Sequence, residues 1–214
     1  MPTRFTILGD GPTDASLKPI IGWILQKVPA VATRGFVIEF TTGRGGAESA
    51  ANPLSGRIRR ALREFPCDVL FIHRDAETET PVKRLEEISK SAALADLNRY
   101  IPAVPVRMTE AWLLIEEHAI RQAADNPNGA TELRLPTLHK LEQLPDPKQA
   151  CDDLLILASE KSGRRLQKFR RPSELAWRRV RVASLIRDFT PLMEVPAFKQ
   201  LFNTTATTVV DSYK

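Results

Sequence analysis

Apolar residues follow two different periods along the first half of the chain. Four short β-prone runs lie at residues 4–9, 35–42, 67–72 and 100–107. The run at residues 67–72 (CDVLFI) is almost continuously apolar, which is typical of a central parallel strand that is covered on both faces. Between the runs, apolar residues recur at helical spacing in segments 17–28, 54–65 and 81–97. This alternation predicts an α/β fold with a four-stranded, mostly parallel sheet flanked by helices.

The pattern changes after about residue 116, where strand-like runs stop. Helical periodicity is then found at residues 109–124, 151–160 and 172–189, with a loop at residues 125–136. We therefore predict an α/β core over residues 1–116 and a basic, helical elaboration over residues 117–214, packed on the core as one continuous unit. Pro102 and Pro105 predict that the fourth strand either lies at an edge of the sheet or is irregular.

The chain carries a formal net charge of +5, and its basic residues are unevenly distributed. Ten Lys or Arg residues lie between Lys161 and Arg187, against a single acid, Glu174. Such clustering favours a polyanionic partner, and nucleic acid is the partner we expect. The candidate phosphate contacts are the clustered cations Lys161, Arg164, Arg165, Lys168, Arg170 and Arg171. Phe169 and Trp177 are interleaved with them, as in surfaces that stack bases. The alternative is a solvated helix face.

Cysteine usage and hydropathy limit the compartment in which the protein is expected. Cys67 and Cys151 are far apart and match neither a disulfide framework nor a CxxC metal knuckle. No segment approaches the roughly 20 consecutive apolar residues that a membrane span needs. We expect a cytoplasmic protein that is neither exported nor embedded in a membrane.

Acidic residues follow three of the four predicted strands. Asp10 and Asp14 come after the first strand, Asp75 and Glu77 after the third, and Glu110 after the fourth. Because ligands of open α/β sheets bind at the carboxyl ends of the strands, all five carboxylates are expected to face one crevice. Crowded carboxylates are costly unless cations neutralise them. The expected cofactor is Mg²⁺ or Mn²⁺, since both prefer oxygen ligands.

Roles can be assigned to these acids, with a structural alternative for each. The metal ligands are predicted to be Asp10, Asp14, Asp75 and Glu77, and the catalytic residues Asp10, Asp75, Glu77 and Glu110. Asp75 and Glu77 can share an ion if the chain stays extended, because alternate side chains then point to one side. An Asp that follows a strand is also a common turn former or helix N-cap, which is the alternative for Asp14.

The sequences GDGPTD after the first strand and RDAE after the third resemble the two motifs of Toprim domains, EGxxD or EGxxE and DxD. The likeness covers about residues 4–116 and extends to Glu110, which precedes Ala-Trp-Leu-Leu as in small bacterial Toprim-like proteins often encoded beside an AAA ATPase. More distantly, the chain resembles the overcoming-lysogenization-defect nucleases. Lys161, Ser162 and Arg164 resemble a Ser/Lys/Arg motif in the helical part of the same proteins.

The resemblance implies Mg²⁺-dependent phosphodiester chemistry on nucleic acid, with a role in phage defence and an ATPase partner. A homodimer is compatible with this interpretation. The chain departs from the family pattern in two places, with Asp10 where Glu is usual and Glu77 where Asp is usual. The main hypothesis is therefore a Mg²⁺-dependent nuclease, acting on DNA or RNA. The alternatives are a non-catalytic subunit that binds nucleic acid or an ATPase and has a vestigial acidic site, and a small-molecule phosphotransferase or phosphatase.

Overall fold

The computed structural model describes residues 2–43 and 53–211. Four strands form one sheet, β1 (Thr3–Leu8), β2 (Phe36–Thr41), β3 (Val69–His73) and β4 (Tyr100–Ala103). All of their pairings are parallel, and the order across the sheet is β2-β1-β3-β4. The prediction of an α/β fold with a four-stranded parallel sheet is confirmed, and the proline-containing fourth strand does lie at an edge.

The strand order reverses at β1. The chain leaves β1 for β2 on one side, and then crosses to β3 on the other side of β1. Loops that leave the carboxyl ends of β1 and β3 therefore diverge and open a crevice between them, as at the ligand-binding switch point of doubly wound sheets.

Helices make up most of the remaining chain. The first four are α1 (Leu17–Lys27), α2 (Pro29–Arg34), α3 (Leu54–Glu64) and α4 (Pro81–Leu94). The second half contains α5 (Glu117–Ala123), α6 (Pro147–Ser159), α7 (Gly163–Phe169), α8 (Pro172–Leu185) and α9 (Pro196–Asp211). Four short 3-10 helices occupy Pro12–Ser16, Thr109–Leu113, Leu138–Gln143 and Thr190–Glu194. Among the described residues, no helix has the length and apolar character needed to cross a membrane.

The two faces of the sheet are covered by different parts of the chain. Leu70 and Ile72 of β3 pack in a small cluster with residues of α3 and α4. Val69 and Phe71, which alternate with them, join a large cluster that includes residues of α1 and of the second half up to Val209. The predicted helical second half is thus observed, and it packs on the sheet face that α1 occupies.

Several predicted elements differ from the observed ones. The helix expected at residues 109–124 is a 3-10 helix, Thr109–Leu113, followed by a break and α5. Trp112, Leu113 and Leu114 are all buried, and successive residues of one α-helix, turned about 100° apart, do not easily face a single core. The fourth strand ends at Ala103 rather than near residue 107. The helix expected at residue 151 begins at Pro147, where the Asp146 carboxylate accepts a hydrogen bond from the Gln149 N–H at 2.8 Å.

Candidate functional site

A cleft of about 400 Å³ lies at the carboxyl ends of β1 and β3. Its walls carry four acids and two arginines, namely Asp10, Asp14, Asp75, Glu77, Arg74 and Arg84, together with Gly11 and Thr13. The four acids are those predicted as metal ligands. They meet here because β1 and β3 are adjacent and parallel, so their carboxyl ends lie at the same edge of the sheet.

The loop after β1 is closed by the carboxylate of Asp14. One of its oxygens, Oδ2, accepts hydrogen bonds from the backbone N–H groups of Asp10 at 2.7 Å and of Gly11 at 2.9 Å. Gly9 allows this close turn, since a Cβ at that position would lie 2.8 Å from the Cβ of Asp14 and 2.9 Å from the ring of Phe40. The turn-forming alternative for Asp14 is thus observed, in a carboxylate that also lines the cleft.

Two arginines neutralise Asp10. The guanidinium of Arg57 donates to Asp10 Oδ1 at 2.8 Å, and Arg74 Nε lies 3.4 Å from Asp10 Oδ2. Arg57 is completely buried and also donates to the carbonyl oxygens of Gly9 and Thr42. It therefore holds the end of β1 and the Asp10 side chain together, and its loss would leave several buried acceptors unpaired.

Arg57 was not among the residues predicted from the sequence, although a signal for it exists. In α3, the buried positions Leu54, Ile58 and Ala61 form an apolar stripe at helical spacing. Arg57 falls on this stripe at three residues from Leu54 and four from Ala61. A cation on the apolar face of a helix requires a buried partner, and here that partner is a cleft carboxylate.

Asp75 is held at the end of β3 by the segment that follows β4. Its Oδ1 accepts a hydrogen bond from the backbone N–H of Thr109 at 3.1 Å and lies 3.4 Å from His73 Nε2. The other nitrogen of His73, Nδ1, lies 2.9 Å from the carbonyl oxygen of Ala103. Because a carbonyl only accepts, Nδ1 carries a proton, and Nε2 faces the acids Asp75 and Asp14.

Burial dominates the electrostatics of this part of the cleft. Burial raises the pKa of Asp75 to about 7, and the charges of Glu110 and Asp14 act in the same direction. Burial by itself would lower the pKa of His73, but the negative charges of Asp75 and Asp14 outweigh it and raise that pKa above its ordinary value. The cleft therefore contains a carboxyl that is costly to ionise unless a cation approaches it.

Glu77 reaches the cleft through a different backbone conformation from the one expected. Its φ is +52°, in the left-handed region that non-glycine residues seldom adopt. The chain is therefore not extended up to Glu77, so the condition under which Asp75 and Glu77 were expected to point to one side is not met. Glu77 is exposed, and its backbone N–H donates to the carbonyl of Arg107 at 3.0 Å. Strain of this kind often accompanies functional positions.

Glu110 does not line the cleft, contrary to the expectation that all five carboxylates face one crevice. Its Oε1 lies 3.1 Å from Nε of Arg179, a buried residue of α8 that also donates to Asp152 at 2.5 Å. Burial raises the pKa of Glu110, although the charge of Arg179 opposes this. Glu110 thus pairs with α8, which also packs on the 3-10 helix Pro12–Ser16. Its charge still acts on Asp75.

The carboxylates fit only a sparse metal site. Within the described ranges, no group of three or more His, Cys, Asp and Glu side chains has the arrangement that would hold a metal ion. Asp10 and Asp14 are already engaged by arginines and by backbone N–H groups. Mg²⁺, however, is commonly held by one or two carboxylates together with water and substrate phosphates. Asp75 and Glu77 both line the cleft, and one or two carboxylates are enough for such a site, although the extended chain that would align the two side chains is not observed.

The basic segment divides into an exposed and a buried part. The predicted contacts Ser162, Arg164, Arg165, Lys168, Arg170 and Arg171 are all exposed, on or next to α7, and Lys161 is half-buried. In contrast, Phe169 is buried and Trp177 is 56% exposed. Of the two aromatic rings predicted to stack on bases, Trp177 is therefore accessible and Phe169 is not.

The cations of α8 are mostly structural. Arg178 is buried and lies 2.8 Å from an oxygen of Asp125, and Arg181 also pairs with Asp125. The positive surface of the second half is thus concentrated on α7 and its flanks.

Comparisons with models of known protein families, with curated proteins and with solved structures find no match to the chain.

Proposed function

We propose that the protein is a Mg²⁺-dependent, Toprim-like nuclease that hydrolyses phosphodiesters of nucleic acid in the cleft between the ends of β1 and β3. The observation that carries the proposal is the meeting of Asp10, Asp14, Asp75 and Glu77 in one cleft at the strand-order reversal of the sheet. Burial of Asp75 supports it further, because a carboxyl whose pKa is raised to about 7 gains most from a bound cation.

Four residues that line the cleft would act in the reaction, namely Asp10, Asp75, Glu77 and Arg84. Asp75 and Glu77 would hold the ion, which when bound supplies charge that polarises the phosphate and stabilises the leaving oxygen. Arg84 is anchored by the Asp75 carbonyl at 3.1 Å and by Glu87 at 2.9 Å, and its guanidinium would face a non-bridging phosphate oxygen. Asp10 would orient the attacking water. The exposed cations of α7 would hold the strand by its phosphates.

The decisive experiment compares the parent with Asp75→Asn in the presence of Mg²⁺ or Mn²⁺. Asparagine keeps an oxygen acceptor for the Thr109 N–H but removes the charge, so we expect cleavage of single- or double-stranded substrate to fall at least about a hundredfold. Nucleic-acid affinity should be nearly unchanged. Glu132→Gln is the matched control, because it removes one carboxylate charge from an exposed side chain that pairs only with Arg134 among the described residues.

A specific observation favours one alternative. Asp10 is paired with Arg57 and Arg74, as it would be in a vestigial acidic site of a non-catalytic subunit. Binding of nucleic acid without cleavage by the parent, and without calorimetric binding of Mn²⁺, would support that alternative and reject the nuclease. The ATPase partner, the homodimer and the role in phage defence remain predictions from the resemblance. A pull-down with the product of a neighbouring ATPase gene would test the prediction of an ATPase partner.

A further inference from the structure

A second, basic pocket lies beside α7 and α8 and shares no lining residue with the acidic cleft. Its volume is about 230 Å³, and it is lined by Lys161, Arg165, Lys168, Phe169, Glu174 and Arg178. Typical pockets for whole small molecules are about 300–1,000 Å³. The space therefore suits a small anionic group better than an entire nucleotide.

The ring of Phe169 forms the apolar support of this pocket. Lys161 Nζ lies 4.9 Å from the ring centroid, and the guanidinium carbon of Arg178 lies 4.2 Å from it. Lys161 Nζ also donates to the carbonyl of Ala124 at 3.0 Å. The aromatic ring attracts both cations and limits their movement, so two positive charges are held in place before any ligand arrives.

The charge of the lining is strongly positive. Four cations face a single lining acid, Glu174, which lies 3.6 Å from Arg178 Nη2. Asp125 pairs with Arg178 without being part of the lining. Nε of Arg178 is buried without a hydrogen-bond partner among the described residues. Burial, together with the charges of Arg178 and Arg165, lowers the pKa of Lys161 in spite of Asp125. An anion in the pocket would relieve this repulsion.

We propose that the pocket binds the phosphate monoester at the end of a nucleic-acid strand. A terminal phosphate carries a charge of about −1.5 to −2 at neutral pH, whereas each backbone diester carries a single negative charge, so the excess of cations matches the monoester better. This inference rests on the proposed function, since it names the part of the nucleic acid that the second half of the chain recognises. Inorganic phosphate has the same chemistry and is the other source to be distinguished.

The test measures affinity in the presence of a chelator, so that no cleavage occurs. The probes are oligonucleotides of one sequence with a 5′-phosphate, a 3′-phosphate or hydroxyl ends, and the parent is compared with Arg165→Ala combined with Lys168→Ala. Both side chains are exposed, so the fold should persist. The matched control is Arg164→Ala combined with Arg170→Ala, which removes the same charge from the same segment outside the pocket lining.

We expect the parent and the control to bind one phosphorylated oligonucleotide about tenfold or more tightly than the hydroxyl form, since charge-assisted hydrogen bonds are strong. The pocket variant should lose this preference. Inorganic phosphate alone should raise the melting temperature of the parent and not that of the pocket variant. Such protection without any preference among the oligonucleotides would support a phosphate site that is filled by free phosphate, and would overturn its assignment to strand ends.

If the parent shows neither an end preference nor a rise in melting temperature with phosphate, the pocket is not a phosphate site. Equal loss of the end preference in the pocket variant and the control variant would have the same meaning. The proposed function is judged separately, by Mg²⁺-dependent cleavage of an internal site. Cleavage without end preference rejects the assignment of the pocket to strand ends and leaves the nuclease standing. End preference without cleavage supports the pocket and rejects the nuclease.

Discussion

The raised pKa of Asp75 makes the stability of the protein depend on pH in a way that one substitution should remove. The pKa is about 7 in the folded protein and 3.8 for an ordinary aspartate. A carboxyl with a raised pKa contributes stability that is fully present below pH 3.8 and is lost as the pH rises through 7. Asparagine does not titrate, so Asp75→Asn should become progressively more stable than the parent over this window.

The size of the effect follows from the shift. The difference between about 7 and 3.8 is about 3 pKa units, which corresponds to about 4 kcal/mol of unfolding free energy above pH 8. Linkage places roughly 2.6 kcal/mol of this between pH 5 and pH 8. The Asp75 side chain is 24% exposed, so solvent screens part of the cost, and we expect about 1 kcal/mol after this discount.

Urea denaturation of the metal-free protein at pH 5 and pH 8 measures this quantity. The gain in unfolding free energy of Asp75→Asn over the parent should be larger at pH 8, and the exposed control Glu132→Gln should show no such pH dependence. A gain that is equal at the two pH values, or no gain at pH 8, would mean that Asp75 titrates like an ordinary aspartate. Burial of Asp75 would then create no demand for a cation in the cleft.

Two other predictions concern the backbone of the cleft and the basic helix. Glu77→Gly should raise the unfolding free energy by about 1 kcal/mol, because glycine adopts a φ of +52° without strain, and should reduce cleavage. Glu77→Ala removes the carboxylate but keeps the strain, and equal stability of the two variants in urea would refute this explanation. Arg170→Ala combined with Arg171→Ala should reduce the slope of log K against log salt by about 1.4 to 1.8, if each arginine neutralises one phosphate. Salt titrations of the parent and this double variant measure that difference, and an unchanged slope would assign both arginines to a solvated face.

Much of the α/β architecture could be predicted because short-range patterns of apolar residues determine it. The apolar run at residues 67–72 is typical of a strand covered on both faces, and its residues from Val69 onward belong to the buried β3. The positions of Asp10, Asp14, Asp75 and Glu77 just after strands predict a shared cleft only if β1 and β3 are adjacent, since parallel neighbours end at one edge. The structure supplies that adjacency.

Pairings between distant side chains could not be predicted in the same way. Glu110 follows the predicted fourth strand as closely as Asp75 follows the predicted third strand, but it pairs with Arg179, and nothing in the sequence near either residue indicates this contact. The buried cations show the same limit, because Arg178 and Arg179 belong to the same basic segment as Arg170 and Arg171, yet only the latter two are exposed.

The sequence by itself therefore determined the order of strands and helices, the parallel sheet and the edge at which the acids lie, because these follow from periodicity and chain direction. The tertiary structure alone decided which charges neutralise one another. Arg57 reaches Asp10 across 47 residues, and Phe169 is buried between Lys161 and Arg178 only because α7 and α8 pack together. Such contacts depend on how helices pack in space, and packing combines residues that no local pattern connects.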